Sequence, residues 1–522
     1  MTELASYLSG AWTCGSGGGA KGAALLNPST EEVVATASTE GLDLGAALAH
    51  ARDEGGPRLR AMSFAERGEL LRAMSKAIYS KRDELIGLAM TNGGNTRSDA
   101  KFDIDGATGT LSFYADLGKE LGDAHLLADG DGVQLGRSAR LFGAHVYTPR
   151  RGVAVHVNAF NFPAWGLAEK AATALLAGMP VFCKPATSTA LVAHRITELL
   201  VESGALPTGA FSLLAGGAGA LTSHLGAQDV LAFTGGSSTA RTLRAEASVV
   251  ERGVRLNVEA DSLNAAVLGP DVELGSDLEN LFTADVARDI QQKTGQKCTA
   301  IRRVYVPRER LAEIADLLAE RLRAIKVGVP THDDVNMGPL ATRSQLRDVR
   351  EGAKRIQAAA KLVFGDPDRV DALGRDGDKG FFMSPLLFVH GEPSVADVVH
   401  SHEVFGPCAT VMPYDGTGED AARLVAAGGG GLVTSVYSDD PRFLAAAVVG
   451  SAAFNGRVVI GSSKVASQAI APGLVMPHLL HGGPGRAGGG EELGGRRGLA
   501  FYMQRTAVQG DRALLDALTG KR

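Results

Sequence analysis

The sequence predicts an α/β protein with more than one domain, and three observations support this class. The chain has 522 residues, which is too long for a single hydrophobic core. Its composition, with 45% apolar and 21% charged residues, is that of an ordinary globular protein. Between Gly152 and Leu268, strand-like and helix-like segments alternate along the chain. This alternation is typical of a parallel sheet covered on both faces by helices.

The alternating region predicts a defined set of elements. Strands are predicted at 153–157, 180–184, 211–214, 230–234 and 265–268, and helices at 164–176, 188–203 and 239–245. In such sheets, ligands bind beyond the carboxyl ends of the strands. Because Asn161, Lys184 and Gly235 fall at these ends, we expect a nucleotide site there.

Helical patterns precede this region. Apolar residues recur at helical spacing from residue 63 to residue 90, and Ser63 with Glu66 forms a capping box. Further helical sequence runs to about residue 121. Residues 139–150 are predicted to form an extended ribbon, which must be covered or used for association because it exposes strand edges.

A second alternating region follows, from about residue 281 to residue 472. The segment 481–497 is rich in glycine, so its backbone must turn sharply or approach another segment closely. The last apolar stretch, 499–508, is predicted to be a strand that pairs with another element.

Charge and cysteine content exclude several classes of function. A net charge of -5 gives no general attraction to nucleic acid or to anionic membranes. The four cysteines lie far apart, and His400 and His402 lack the HExxH spacing, so we expect neither a disulfide framework nor a metal site. Without a basic leader or an 18-residue apolar stretch, the chain is predicted to be cytoplasmic.

Cys298 is the first candidate for chemistry. It lies in a short polar turn between a helical pattern at 280–292 and an apolar strand at 301–306. A thiol at such a junction is accessible, and nearby backbone N–H groups can lower its pKa. A single cysteine is equally compatible with an inert, small apolar side chain.

Two further side chains could complete a catalytic unit with this thiol. Asn161 follows a strand end, where it either caps the loop or donates an N–H to a developing oxyanion. Glu259 lies in an otherwise apolar strand and loop. Its carboxylate is therefore either paired structurally or held as a base with a raised pKa.

Two stretches could bind a nucleotide cofactor. The segment 233–240 follows a strand and opens a helix, which offers N–H groups to a phosphate, although the same pattern also forms a simple tight turn. Lys184 ends another strand of the same sheet. There it is either a solvated charge or a ligand of ribose hydroxyls or phosphate.

Seven motifs, taken together, resemble the aldehyde dehydrogenase superfamily in identity and order, and the resemblance covers nearly the whole chain. They are Asn161-Phe162-Pro163, Lys184-Pro185-Ala186, Phe233-Thr234-Gly235, Glu259, Gly295-Gln296-Lys297-Cys298, Met337-Gly338-Pro339-Leu340 and Glu403-Val404-Phe405-Gly406-Pro407. The segments 481–492 and 502–506 are similar to the branch that acts in aerobic degradation of aromatic compounds through CoA thioesters.

The resemblance implies roles for individual residues. Cys298 becomes the nucleophile, Asn161 the oxyanion donor together with the Cys298 backbone N–H, and Glu259 the base that activates water. The implied cofactor-binding residues are Ala159, Phe160, Lys184, Ala186, Thr187, Gly216, Phe233, Gly235, Gly236, Thr239, Ala260, Glu403 and Phe405. The implied reaction is oxidation of an aldehyde, possibly CoA-linked, to the acid through a thiohemiacetal and a thioester.

The resemblance also implies a nicotinamide cofactor, and one position bears on its identity. Members of the family that prefer NAD often carry a glutamate three residues after the lysine equivalent to Lys184, whereas this chain has Thr187. A carboxylate repels a 2′-phosphate and a hydroxyl can donate to it. We therefore predict NADP as the cofactor, with NAD weaker.

The chain departs from the family pattern at several positions. Asp261 and Ser262 stand where the family usually has Gly-Gly, Ala240 replaces the last glycine of the phosphate loop, and the Pro-Phe-Gly-Gly segment near the C-terminus is absent. These departures affect the pocket and the seat of the cofactor phosphate. They leave the nucleophile, the donor and the base in place.

The implied fold has three parts. A Rossmann-type cofactor-binding domain is expected at 1–137 and 157–268, and an α/β catalytic domain at 269–480. A β-ribbon for oligomerisation with a C-terminal tail is expected at 138–156 and 495–522, and it predicts a homodimer.

Two alternative functions stay open. An acylating dehydrogenase would release its thioester to free CoA, and the presence of Glu259 argues against it. A non-catalytic protein on the same fold would not need Cys298, Glu259 and Asn161 together.

Overall fold

The computed structural model describes residues 2–16 and 22–520. Residues 1, 17–21 and 521–522, which fall in the ranges predicted for the cofactor-binding domain and the C-terminal tail, lie outside the described residues. The strands are β1 Thr2–Leu4, β2 Ser6–Leu8, β3 Ala11–Thr13, β4 Ala23–Leu26, β5 Val33–Ala37, β6 Leu127–Gln134, β7 Leu141–Pro149, β8 Ala154–Val157, β9 Val181–Lys184, β10 Phe211–Leu213, β11 Val230–Thr234, β12 Arg255–Glu259, β13 Asn264–Leu268, β14 Ile301–Pro307, β15 Lys361–Phe364, β16 Leu386–Val389, β17 Cys408–Tyr414, β18 Gly431–Tyr437, β19 Asn455–Gly461, β20 Leu480–Gly482, β21 Glu491–Leu493 and β22 Met503–Asp511. The α-helices are α1 Leu44–His50, α2 Gly56–Ala61, α3 Phe64–Ser80, α4 Arg82–Gly93, α5 Arg97–Leu121, α6 Trp165–Ala177, α7 Ala190–Glu202, α8 Ser237–Arg244, α9 Ala247–Val250, α10 Asp277–Gln291, α11 Leu311–Arg323, α12 Arg343–Gln357, α13 Gly418–Ala426, α14 Pro441–Ala452, α15 Arg496–Tyr502 and α16 Arg512–Thr519.

The helices before the first sheet follow the sequence signals. The predicted capping box starts α3, because Ser63 Oγ accepts from Glu66 N at 3.2 Å and Glu66 Oε2 accepts from Ser63 N at 2.7 Å. The buried faces of α3, α4 and α5 join a large apolar cluster that also covers one face of the first sheet. This burial stabilises the helices more than their propensities do.

The first large sheet has the order β12-β11-β8-β9-β10-β2-β3, and its five strands from β8 to β12 run parallel. Registered pairs at its carboxyl edge include Phe233 with Val157, Val157 with Lys184, and Thr234 with Glu259. Four of the five predicted strands are confirmed here. The carboxyl ends of β8, β9 and β11, together with that of β12, which was not among the predicted strands, bring Asn161, Lys184, Gly235 and Glu259 to the same edge.

The fifth predicted strand, at 265–268, was wrongly grouped with these. It is β13, and it lies at the interior of a second sheet with the order β15-β16-β17-β14-β13-β18-β19. Asn264 Oδ1 accepts from Leu432 N and Val433 N of that sheet. A short run of apolar residues fits the interior of any parallel sheet. Its pattern therefore does not show to which of two sheets the strand belongs.

A three-stranded sheet, β22-β7-β6, forms the predicted ribbon. β22 pairs with β7 antiparallel, from Met503 opposite Pro149 to Asp511 opposite Leu141. The strand predicted at 499–508 begins only at Met503, because Leu499 and Tyr502 are buried on one face of α15. No helix within 2–16 and 22–520 has the length and apolarity needed to span a bilayer.

Candidate active site

Cys298 lies in the turn between α10 and β14, as predicted. The turn contains three successive residues in the left-handed region, Lys293 at φ 52°, Thr294 at φ 55° and Gly295 at φ 67°. A Cβ at Gly295 would approach the Gly406 carbonyl oxygen to 2.1 Å, so only glycine fits there. The turn therefore packs directly against the backbone that follows Glu403.

Arg302, on β14, holds these two backbone segments together. Its guanidinium donates to Gly406 O at 2.8 Å, to Gly295 O at 2.8 Å and to Lys297 O at 3.3 Å. The side chain is buried. Arg302 thus links the turn that carries the thiol to the loop that carries Glu403.

Asn161 lies above the same turn. Its Nδ2 donates to Gln296 O at 3.0 Å, which fixes the orientation of the amide. Gln296 is fixed in turn, because its Nε2 donates to Lys293 O and its Oε1 accepts from Ala341 N. A strand end of the first sheet and a turn of the second are therefore held in contact where the oxyanion is expected.

Glu259, at the end of β12, faces the thiol from the first sheet. A carboxylate oxygen of Glu259, the Sγ of Cys298 and a ring nitrogen of His481 all lie within 4.8 Å of one another. The Nε2 of His481 is 2.9 Å from Glu259 Oε2, and only 4% and 3% of the two side chains are exposed. The candidate base is therefore part of a buried ion pair.

This pair decides between the two alternatives given for Glu259, a structurally paired carboxylate and a base with a raised pKa. Burial favours its neutral acid, but the charge and hydrogen bond of His481, followed by the charge of Lys170, outweigh burial and lower the carboxyl pKa to about 2. Burial opposes the charge of His481 too, yet Glu259 raises the imidazole pKa. Of the two alternatives given for Glu259, the structure supports the paired carboxylate and not the raised pKa, and the choice could not be made earlier because the cationic partner lies far away in the sequence.

The thiol also differs from its prediction. Burial, and then the charge of Glu259, raise the pKa of Cys298 well above its usual range. Nearby N–H groups do not compensate for this. The resting thiol is therefore protonated, and the Glu259 carboxylate beside it is the nearest base.

A second buried charge cluster lies behind Glu259. Lys170 Nζ is 3.0 Å from Glu492 Oε2 and 3.2 Å from Glu169 Oε1. Asn257 Nδ2 donates to Glu492 Oε1 at 3.0 Å. Lys170 and Glu169 come from α6, Glu492 from β21 and Asn257 from β12, so three segments meet there.

Two cavities meet at the thiol. The first has a volume of about 40 Å³, and its walls include aromatic side chains, two glycines and the charged residues just described. The second has a volume of about 450 Å³ and lies over the carboxyl edge of the first sheet. Cys298, Glu259 and Asn161 line both. A molecule in one cavity would thus meet a molecule in the other at these three side chains.

The larger cavity contains many of the predicted cofactor-binding residues. Those that line it are Ala159, Phe160, Ala186, Gly235, Gly236, Ala260, Glu403 and Phe405. Lys184, Thr187, Gly216 and Thr239 lie outside this wall. Phe233 is buried in a hydrophobic cluster, with its ring beneath Gly235, so it supports the wall from behind.

The cleft fits a dinucleotide in two respects. Gly235 and Gly236 line the cleft and lead directly into α8, so the amino end of this helix, which favours an anion, lies at the cleft. Glu403 presents a largely buried carboxylate: Oε2 accepts from Ser262 N at 3.1 Å, whereas Oε1 accepts no hydrogen bond from the described residues. Burial raises the pKa of Glu403 to about 7. Arg302 Nε lies 3.6 Å from Oε1, an ion-pair distance that still leaves this oxygen free to accept from a ribose hydroxyl.

The positions that depart from the family pattern have structural partners. Asp261 Oδ1 accepts from Ser237 N at 3.0 Å and Oδ2 accepts from Ser237 Oγ at 2.7 Å, so this carboxylate caps α8 at the cleft. Ser262 Oγ donates to Asn264 Oδ1 at 2.6 Å. Ala240 is buried on the inner face of α8. The cap competes for N–H groups that a phosphate would use.

Sequence reasoning assigned no role to His481 or Arg486, although both stand in the glycine-rich segment. Arg486 lines the larger cavity and donates to the carbonyls of His400 and Ser401. A glycine-rich loop has no periodicity that orients its side chains. What could have indicated a role for these two residues is that they are ionisable and stand in a segment whose backbone must approach another segment closely.

Comparisons of the sequence and of the structure with known proteins identify the family to which the chain belongs. Residues 14–508 match the aldehyde dehydrogenase family. The chain is 43% identical over 483 residues to the 3,4-dehydroadipyl-CoA semialdehyde dehydrogenase of Aromatoleum evansii. The aligned region covers 92% of this chain and 93% of that protein.

Solved structures share the fold. A 3,6-anhydro-L-galactose dehydrogenase in complex with NAP has a TM-score of 0.84 at 20% identity, covering 98% of this chain and 100% of that one. The NAD+ complex of an aldehyde dehydrogenase from Bacillus cereus has a TM-score of 0.81 at 22% identity, covering 98% and 97%. With the sequence match over nearly its whole length, the chain belongs to the aldehyde dehydrogenase family and is an enzyme that oxidises aldehydes.

Proposed function

We propose that this enzyme oxidises a CoA-linked semialdehyde to the carboxylic acid, with NADP as the preferred cofactor. The observation that carries the proposal is the convergence of Cys298, Glu259 and Asn161 between two cavities. The substrate class follows from the 43% identical relative, whose name specifies 3,4-dehydroadipyl-CoA semialdehyde. An aerobic route of aromatic degradation is the corresponding metabolic setting.

The smaller cavity supports a slender acyl chain as the reacting part of the substrate. Phe102, Phe162 and Trp165 form an aromatic wall, with each ring centroid within 6.0 Å of another. Gly166 and Gly473 contribute no side chain to the lining. A volume of about 40 Å³ cannot hold CoA, so the nucleotide end of the substrate stays outside this cavity.

In the proposed reaction, Cys298 Sγ attacks the aldehyde carbon after its proton passes to the Glu259 carboxylate. Asn161 Nδ2 and the Cys298 backbone N–H donate to the oxygen that becomes negative, a contribution of about 10²–10³ in rate for one such donor. Bound nicotinamide supplies the acceptor for the aldehyde hydride, so that the adduct becomes a thioester on Cys298.

Hydrolysis completes the reaction. The thiol proton first leaves Glu259 for solvent, which restores the carboxylate. Glu259 then removes a proton from a water molecule that attacks the thioester carbon, the C–S bond breaks, and this proton passes to the sulfur as the acid leaves. Free CoA is not consumed. An acylating reaction, the alternative left open above, would instead require free CoA as the acyl acceptor.

The predicted cofactor residues divide into three groups in this proposal. Gly235 and Gly236 at the start of α8 bind phosphate, Glu403 accepts from the nicotinamide ribose, and Lys184 binds the adenine ribose. Thr187 Oγ1 donates to Gly216 O at 2.8 Å, so the NADP preference rests on the missing carboxylate rather than on a free hydroxyl.

We further propose a cytoplasmic homodimer. In the ribbon, Val133, Leu135 and Leu141 expose 61%, 44% and 47% of their surface, which favours a partner subunit over solvent. The first sheet, with the segments 1–137 and 157–268 except β13, forms the cofactor-binding domain, and the second forms the catalytic domain.

An activity screen tests the proposal. Free and CoA-linked semialdehydes of equal chain length are compared with NADP and with NAD, each with and without added CoA. We expect the highest kcat/KM for the CoA-linked aldehyde with NADP, without any requirement for free CoA. Equal rates with free and CoA-linked aldehydes would refute the substrate class, and a CoA requirement would favour the acylating alternative.

A further inference from the structure

The structure contains a cation in contact with the candidate base that no part of the proposed mechanism uses. We propose that His481 is a positioning residue, whose imidazole fixes the Glu259 carboxylate beside Cys298 for hydrolysis of the acyl-enzyme. The inference rests on the proposed function, because it concerns the second half of that reaction. It follows from the 2.9 Å contact between Nε2 and Oε2 and from the burial of both side chains.

His481 is placed by backbone contacts on both sides of Glu259. Gly490 N donates to Val258 O at 3.0 Å, and Ala260 N donates to Ala487 O at 3.0 Å. The glycine-rich loop thus covers β12, the outer strand of the first sheet. Cβ atoms at Gly488 and Gly490 would lie 2.2 and 2.5 Å from Val258 O. The close approach predicted for this segment is confirmed, and it fixes the loop relative to the base.

The backbone of His481 is held by strand pairing. His481 on β20 is directly opposite Glu492 on β21, and Glu492 binds Lys170. The hairpin therefore delivers one imidazole to Glu259 and one carboxylate to Lys170. A shift of the hairpin by one residue would reverse which side chains face inward.

The charges around the pair explain why a cation is needed in contact with Glu259. The charged and titratable groups around His481 come from α6, β12, the nucleophile turn, β19 and β21. They are Glu169, Lys170, Glu259, Cys298, Arg457 and Glu492. Lys170 is shared by Glu169 and Glu492. Within the described part of the chain, His481 is the only cationic side chain with a nitrogen within 4 Å of a Glu259 oxygen.

Removing the imidazole therefore has two consequences. The carboxylate loses the contact that orients it, and it becomes a buried anion near two other carboxylates. Its proton affinity rises, so that hydrolysis fails at acidic pH where it previously proceeded. Attack by Cys298 also uses Glu259, but it needs only one proton transfer per active site to deliver the first reduced cofactor.

The experiment compares His481→Ala and His481→Gln with the parent enzyme in rapid-mixing assays from pH 5 to pH 9. Glutamine keeps an N–H donor at a similar reach but carries no charge. The matched control is His478→Ala, in the same segment, because His478 is exposed and, among the aromatic side chains of the described residues, contacts only the tilted ring of Phe113, with ring centroids 4.3 Å apart. The readouts are the first equivalent of reduced cofactor and the steady-state rate that follows.

We expect His481→Ala to deliver the first equivalent while its steady-state rate at pH 7 falls about tenfold or more, with the roughly 10²–10⁴ that a general base contributes as the upper bound. The acid limb of its steady-state profile moves to higher pH by at least about one unit. His481→Gln regains most of the rate at pH 9 and keeps the shifted limb. His478→Ala matches the parent.

Two results would overturn the inference. Parental rates and an unshifted limb in both His481 variants would show that the imidazole is dispensable. Loss of the first equivalent in parallel with the steady state, in the soluble and folded glutamine variant, would show a role in building the whole site instead. If the parent gives no Cys298-dependent reduction, the proposed function itself fails, and the inference with it.

Discussion

The two large sheets contribute to the site from opposite ends of their strands. The first sheet presents carboxyl ends, with Glu259 at the end of β12 and Asn161 shortly after β8. The second presents amino ends, with Cys298 just before β14 and Glu403 before β17. The nucleophile and the ribose ligand thus come from one sheet, and the base and the oxyanion donor from the other. The reaction depends on how accurately the two edges are joined.

The two edges also differ in backbone strain. The first sheet reaches its site residues through strand ends and short turns, whereas the second uses Lys293 and Thr294 in the left-handed region. Each such residue costs roughly 1–3 kcal/mol. Thr294 Oγ1 donating to Gly338 O at 2.9 Å and the three carbonyl contacts of Arg302 offset this cost. The second edge is therefore the more sensitive to substitution.

The largest loss of turnover is expected from substitution of Cys298, at the amino edge of the second sheet. Cys298→Ser should lower turnover by more than about 10³-fold, because the hydroxyl is a far weaker nucleophile than the thiolate. Cofactor affinity, measured by equilibrium fluorescence, should stay within twofold because the cleft is built mainly on the other sheet. Cys14→Ser is the control, since Cys14 is exposed and remote. Substantial residual turnover in Cys298→Ser would remove the thiol from the mechanism.

Asn161→Ala tests the carboxyl edge. The variant loses an oxyanion donor and leaves the carbonyl of Gln296 without its partner. We expect kcat to fall about 10²–10³-fold with a smaller change in KM, because the donor acts on charge that develops in the transition state. A change confined to KM would assign Asn161 to substrate binding instead.

Arg302→Met tests the junction between the two edges. The substitution keeps an apolar stem but removes the guanidinium donor from the carbonyls of Gly295, Lys297 and Gly406, of which the last two still accept from Ala300 N and Cys408 N. We expect a cost of about 3 kcal/mol in the free energy of unfolding. Thermal unfolding measures the loss, and we expect a tenfold to hundredfold lower kcat from displacement of the thiol. Arg308→Met, at an exposed salt bridge with Glu392, is the matched control. Equal effects in both variants would contradict the role given to Arg302.

The smallest effect is expected at Glu403. Because its pKa is raised to about 7, this carboxyl is protonated below pH 7 and charged above it. A charged acceptor binds a ribose hydroxyl more strongly, so cofactor affinity should increase roughly fivefold between pH 6 and pH 8. Titration calorimetry at both pH values measures this, and Glu403→Gln should remove the pH dependence. A dependence that survives in the variant would have another source.

The comparison of the two edges also explains what could be predicted from the sequence. The rule that ligands meet the carboxyl ends of parallel strands located Asn161, Lys184 and Gly235 without structural information. The same rule has no counterpart for amino ends, so Cys298 was singled out by its place in a helix-to-strand turn and Glu403 only through the family motifs. The pattern of β13 did not reveal its sheet, since a buried apolar run fits either one.

Charge states were the least predictable feature. The pKa of Glu259 depends on His481, which a glycine-rich loop brings to it from another part of the chain. Asp261 was recognised as a departure, but its role as a cap on α8 required the position of Ser237. Long-range partners of this kind leave no periodic signal in the sequence.

The most direct test of the central claim is a rapid-mixing experiment on Glu259→Gln with saturating aldehyde and cofactor. The account predicts one equivalent of reduced cofactor per active site, followed by turnover at least about 10²-fold slower than in the parent, with an acyl adduct on Cys298 detected by mass spectrometry. Steady turnover at the parental rate, or a stalled enzyme without the adduct, would contradict it.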